Sequence, residues 1–560
     1  MGGLKRKARL GGLEIIGLLG LFALVIYPLA FLVRESFLWN GSFSLEAYRQ
    51  ILSERANYSA LGRTLKVGVM VTLAATLIGT GIAWLCSRSD MGGRRRIAAL
   101  AVFPFMVPPF IGAFSWGQLL GPVGYLNKLY FTLTGLEKPF FNLYSEAGIV
   151  LVMAIHLYPL AFMTMTKAFD QMDGALEEAA RVAGAGWHRV IRDVTLPILM
   201  PAIANSALLI FVAAISNFGV PAALGFSNGY FMLTTKIFDA VMNFSLKNHF
   251  SIAAALSILL AGVAGIALFT ANLALRRRRY GVVDGKATLP PRVPLGKFHG
   301  WTTALVWVFI SVIAAAPLVA MALTAVTNVY GLPATPANWS LKHFAYVLGK
   351  MPAAQRALKN SFILSVSSAS LAVIFSGILA YVAAKSTTIK RSAIEFVATL
   401  PYAIPGTVLA LSMILAFNKP VFGLQLYDTL GIILLAYVAR YFIFPMRSVL
   451  ASLDRVSGDL EEAARVSGAG QWRRFKDIVL PVIKPGMVLG WFLVLIPTIH
   501  ELTVSVLLWS VGNETLGVAV FTLQESGGIQ ATAALALVTI ALTSILRWIS
   551  RKIGGKEGEI

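Results

Sequence analysis

Two sets of residues in this 560-residue chain have types and spacing that could do chemistry. The first occurs twice. Leu176–Pro201 reads LEEAARVAGAGWHRVIRDVTLPILMP, and 284 residues later Leu460–Pro485 reads LEEAARVSGAGQWRRFKDIVLPVIKP. In each copy a Glu-Glu-Ala-Ala run (Glu177, Glu178, Ala179, Ala180; Glu461, Glu462, Ala463, Ala464) leads to Gly184 or Gly468. Each copy then closes on Leu196-Pro197 or Leu480-Pro481. The second set is polar residues inside apolar runs. Ser216 and Asn217 in ISNFGVP fall at the same offset as His500 and Glu501 in TIHELTVS. An ionisable group at membrane depth is costly and usually faces a cavity or a partner. Glu501, with His500, could therefore line a cation path or gate; the alternative is a carboxylate paired with a neighbouring helix for packing.

Other chemistries are excluded by what is missing. A loop that cradles nucleotide phosphates needs Gly-x-x-x-x-Gly-Lys followed by Ser or Thr. Lys286, Lys297, Lys350 and Lys556 each follow glycine, but they precede Ala, Phe, Met and Glu. The single cysteine, Cys86, rules out an intramolecular disulfide and a cysteine-based metal site. No His/Asp/Glu cluster has metal-ligand spacing, so no metal or cofactor is expected to reside in the chain. Any metal would be cargo.

The elements that must position these residues lie in a membrane. Hydrophobic residues make up 57% of the chain and charged ones 13%, about half the share of a soluble protein. The fold class expected is all-α, a polytopic membrane protein. About twelve spans of roughly 20 apolar residues can be marked out. Six fall near 13–34, 62–86, 97–120, 147–168, 199–223 and 250–275, and six near 301–326, 360–384, 393–417, 429–450, 485–510 and 529–549. The first is too long for the apolar core of a signal peptide and lacks a small-residue cleavage site, so it is read as a retained span. With an inside N-terminus, 33 of the 48 Lys and Arg fall on the inner side. That bias places both termini inside and explains the net charge of +22 without nucleic acid.

The repeat divides the chain into homologous halves. A weaker echo at offset 297 pairs Ala60-Leu61 with Ala357-Leu358, and Pro104 and Pro108 with Pro401 and Pro405. The change of offset fits an extra loop around 122–146. The domains expected are a cytoplasmic N-terminus over 1–12, a six-helix unit over 13–275, a linker over 276–300, a second six-helix unit over 301–549 and a cytoplasmic C-terminus over 550–560. Pro104, Pro108 and Pro109, with Pro401 and Pro405-Gly406, should interrupt the third span of each half. His156 and Arg440 fall in the matching fourth spans.

LEEAARV is strongly helix-forming, and the glycines after it permit a sharp turn. Each repeat should thus make a short rigid helix outside the bilayer, within loops spanning 170–197 and 454–481. This pattern resembles the cytoplasmic coupling loop of permeases in ATP-binding-cassette importers, with Val194 the one departure, standing where isoleucine is usual. The resemblance implies a non-enzymatic translocation subunit of the bacterial cytoplasmic membrane. It also implies two copies of an ATPase subunit, which bind the ATP, on the two loops, and a periplasmic or extracellular solute-binding protein on the outer face. The fused arrangement resembles the ferric-iron branch most, through ELTVSVLLWSVGNETLGVAVFTLQESG and SNFGVPAALG. Permeases for thiamine, phosphonates or polyamines share the architecture. A secondary transporter driven by an ion gradient, with Glu501 as its ion site, is the alternative from another class; it has no use for twin coupling loops.

Overall fold

A computed structural model describes residues 11–554 apart from 137, 278–291, 331, 333–334, 421–422, 455–462 and 465. It is helical almost throughout; among the described residues the one sheet is a two-stranded hairpin, Leu38–Trp39 with Ser42–Phe43. Nine described helices are long and apolar enough to cross a membrane, and twelve crossings result if each of three bent pairs counts as one. The first half contributes Glu14–Ser36, Arg55–Arg88, Glu146–Asp170, His188–Ile215 and His249–Thr270. The second contributes Gly296–Val326, Pro352–Lys385, Lys476–Thr498 and Ile529–Ile553.

The third spans are interrupted at the expected prolines, and the interruption is a sharp bend. Arg94–Met106 and Pro109–Thr134 meet at 101°, and Thr388–Ala403 and Gly406–Phe417 meet at 103°. Proline supplies the cause, because it lacks an N–H and pushes its predecessor into extended backbone. Val107 before Pro108 has ψ 133°, and Ile404 before Pro405 has ψ 150°. The arm after each break is buried along most of its length, Pro109–Leu120 in one half and Gly406–Phe417 in the other. The fourth span of the second half is also broken, by 41° between Tyr441 and Ile443.

The fifth and eleventh spans end earlier than hydropathy suggests, at Ile215 and Thr498. Short buried helices follow: Gly219–Gly225 and Leu233–Met242 in the first half, Ser505–Leu508 and Leu516–Glu525 in the second. With the arms after the third-span breaks they build the central core, where the halves meet through aromatic contacts. The Phe218 ring lies 5.3 Å from Phe238 and 5.9 Å from Phe521.

Each half lends its first helix to the other. Glu14–Ser36 packs on the second half, where a side chain at Gly20 would stand 2.4 Å from the Phe375 ring. A β-carbon there would force the Phe375 ring to move. Gly296–Val326 packs in return on the first half, with Trp307 against Gly93 and Thr303 Oγ1 accepting the Gly92 N–H at 3.4 Å.

Candidate functional site

The first repeat forms the helix Ala175–Val182 between two spans. Its first turn carries Glu177 and Glu178 and its last turn Arg181, the arrangement the helix dipole favours. Gly184 ends it at φ +83°, a left-handed conformation in which a β-carbon is strained. Two hydrogen bonds complete the stop, Gly184 N to Arg181 O at 2.9 Å and Ala185 N to Ala180 O at 3.0 Å, a Schellman closure. The second repeat closes in the same way: Gly468 has φ +81°, and Ala469 N reaches Ala464 O at 3.0 Å. After each turn, one π-helical turn, Ile191–Thr195 or Phe475–Val479, leads into Leu196-Pro197 or Leu480-Pro481 at the start of the next span. Glu461 and Glu462 lie outside the described residues.

The two adjacent glutamates of the first copy differ in environment. Glu178 is exposed. Glu177 is buried and pairs with Arg88, the last residue of the second span, and its Oε1 accepts the Thr195 hydroxyl at 2.6 Å. Sequence analysis missed Arg88 and Thr195; the available signal was a basic residue closing an apolar helix, with Lys385 at the same place 297 residues on. The outward tips of both coupling helices are apolar. Val182 is 90% exposed and Val466, 284 residues away, is 89% exposed.

The polar residues expected within the fifth and eleventh spans lie instead at their ends. Ser216 follows the last helical residue, Ile215, and His500 lies beyond Thr498. Ser216 Oγ and His500 Nδ1 are buried without a hydrogen-bond partner. Asn217 and Glu501 do one shared job. Asn217 Oδ1 accepts the Val220 N–H at 3.0 Å, and the Glu501 carboxylate accepts Val504 N–H at 3.0 Å, also three residues on. Both are caps that satisfy free amides at the start of the next short helix. Glu501 takes more: Ser505 N at 3.1 Å, Ser505 Oγ at 3.0 Å and the Thr503 hydroxyl. Its oxygens are engaged by its own chain, the arrangement of the structural alternative for this carboxylate.

The matched pair His156 and Arg440 serves the elbows. His156 Nδ1 lies 3.1 Å from Pro104 O, and Arg440 Nη1 donates to Ile404 O at 3.4 Å, so each reaches a carbonyl at the third-span break. At the opposite end from the repeats, Arg356 forks onto Glu514, Nε to Oε2 at 3.0 Å and Nη2 to Oε1 at 2.9 Å. Arg356 beside it holds the Glu514 carboxyl below the usual range, against the opposing effect of burial.

A family model described as binding-protein-dependent transport system inner membrane component matches residues 72–279 and 372–555, one match in each half. The chain belongs to this family. It is a membrane permease, the translocation component of a binding-protein-dependent system. The permease is similar to a putative ferric transport system permease of Haemophilus influenzae, with 25% identity over 480 residues, covering 83% of this chain and 73% of that one. It is also similar to an Fe(3+)-transport system permease of the same organism, 25% identical over 496 residues, covering 89% and 90%. A putative 2-aminoethylphosphonate transport system permease of Salmonella paratyphi A is 32% identical over 225 residues, 40% of this chain and 83% of that one.

Proposed function

We propose that this permease imports ferric iron across the bacterial cytoplasmic membrane, driven by two ATPase subunits seated on its coupling helices. The observation that carries the coupling is the pair of exposed valines, Val182 and Val466, at equivalent tips of two capped helices. A large apolar residue left in water at a rigid tip favours a protein groove. Glu178, exposed one turn before Val182, then meets the ATPase at the groove's rim, and the repeat assigns the same role to Glu462. Both termini and the segment 276–300 face the cytoplasm, consistent with the Lys and Arg distribution. A solute-binding protein delivers the ion at the outer face, above the Phe218–Phe521 contact between the halves. That contact is the barrier that has to part.

The choice of ferric iron is supported by the two relatives that run the length of both halves. The phosphonate relative matches over 40% of the chain and supports the second reading, a 2-aminoethylphosphonate permease. Proteoliposomes containing the permease, its ATPase and its binding protein distinguish the two. ATP-dependent accumulation of ferric iron, not reduced by excess 2-aminoethylphosphonate, is expected. Accumulation of the phosphonate instead would replace the iron assignment.

A further inference from the structure

The cytoplasmic end of the second span is a junction of four elements. Arg88 is buried there against Glu177 of the first coupling helix, with side chains 4% and 6% exposed. Glu177 holds the hydroxyl of Thr195, at the entry to the fifth span, at 2.6 Å. On its other side the same stretch is strapped by the segment that leads into the second half. Val293 N donates to Arg88 O at 2.8 Å, Asp90 N to Val293 O at 3.3 Å and Leu295 N to Asp90 Oδ1 at 3.0 Å. A few residues on, Gly92 and Gly93 pack on Thr303 and Trp307 of the first helix of the second half. A buried ion pair that also holds a hydroxyl is strongly directional, and removing one partner leaves an uncompensated charge.

We propose that Arg88 and Thr195 are positioning residues for coupling. They lock the first coupling helix to the second and fifth spans, and through Val293 to the second half, so that movement of this helix reaches both halves as one rigid displacement. At the matching positions the second half carries Lys385 and Val479, so the Thr195 hydroxyl has no counterpart there. This rests on the ATPase docking proposed above.

The test compares solute transported per ATP hydrolysed in proteoliposomes carrying permease, ATPase and binding protein. Arg88→Gln should lower that ratio about tenfold, within the usual span of coupling between sites. Thr195→Val, which keeps shape and ion pair, should lower it about threefold, and Arg88→Lys should restore most of the loss. The amount of ATPase bound should stay at the wild-type level in all three. An unchanged ratio in Thr195→Val refutes the role of Thr195 even if Arg88→Gln fails to insert, and an unchanged ratio in both refutes the joint. A spin label at position 182 in the permease alone separates this from docking. Its mobility should rise in Arg88→Gln and Thr195→Val without any ATPase, and unchanged mobility overturns the proposal. Absence of ATPase from the wild-type complex would instead refute the function proposed above.

Discussion

Glu501 separates a cap from a cargo ligand most sharply. It is 5% exposed, and its two oxygens accept from Val504 N, Ser505 N, Ser505 Oγ and Thr503 Oγ1. Glu501→Ala leaves the amides of Val504 and Ser505 buried with no acceptor. At about 1–3 kcal/mol for each unsatisfied buried donor, the loss is roughly 2–6 kcal/mol. The two hydroxyls can turn to other acceptors and add little. Glu501→Gln keeps one carbonyl oxygen and should cost about 1–3 kcal/mol, because an NH2 group then faces donors. Asn217→Ala removes one bond of 3.0 Å and should cost about 1 kcal/mol, the usual value of a helix cap. Thermal unfolding of the detergent-solubilised permease should therefore rank the variants as wild type, Asn217→Ala, Glu501→Gln, Glu501→Ala, from most to least stable. Iron uptake per folded molecule should fall no further than stability does. A Glu501→Gln protein with the wild-type unfolding midpoint and no uptake would refute the cap and return Glu501 to the pathway.

Two other predictions concern the ends of the molecule. Replacing Gly184 and Gly468 together by Ala places β-carbons at φ +83° and +81°, at a cost of about 1–2 kcal/mol each. ATPase retained on the purified permease should drop severalfold, with membrane insertion unchanged; full retention would show that the Schellman closures do not set the tips. At the other end, Glu514 has its folded pKa below the unfolded value of 4.5, so its contact with Arg356 stabilises the fold above that value. This contribution disappears as pH falls through the folded pKa. The acid side of a pH–stability profile should therefore flatten in Glu514→Gln relative to wild type below about pH 4.5, and an identical slope would contradict the assignment.

Much of this architecture was legible in the sequence because it rests on patterns with a single physical solution. Two copies of LEEAARV ending in glycine have one economical fold, and both Gly184 and Gly468 adopt the left-handed turn. The prolines announced breaks in the third spans. Hydropathy carries no information on the angle, because an apolar helix buried in protein reads like one facing lipid; Gly406–Phe417 is entirely buried and turns by 103°. The same ambiguity ran the fifth and eleventh spans past Ile215 and Thr498. Glu501 drew attention as a costly charge, and what offsets the cost is local, amides three and four residues on. Glu177 and Glu178 are adjacent and chemically identical, and only the packing of Arg88 and Thr195 decides which one turns inward. The exchange of first helices between halves leaves no trace in a hydropathy profile, although Gly17 and Gly20 on one face of the first helix make room for Leu379 and Phe375.

The central claim is that both coupling helices seat ATPase subunits from the cytoplasmic side. Cysteines introduced singly as Val182→Cys and Val466→Cys, with Cys86→Ser, test it by cross-linking in membrane vesicles of known orientation. Each should form a covalent adduct with an ATPase subunit, and in its absence should react with an impermeant thiol reagent applied only to the cytoplasmic face. Failure of both positions to cross-link to an ATPase that co-purifies, or labelling of either from the outer face, would contradict the account.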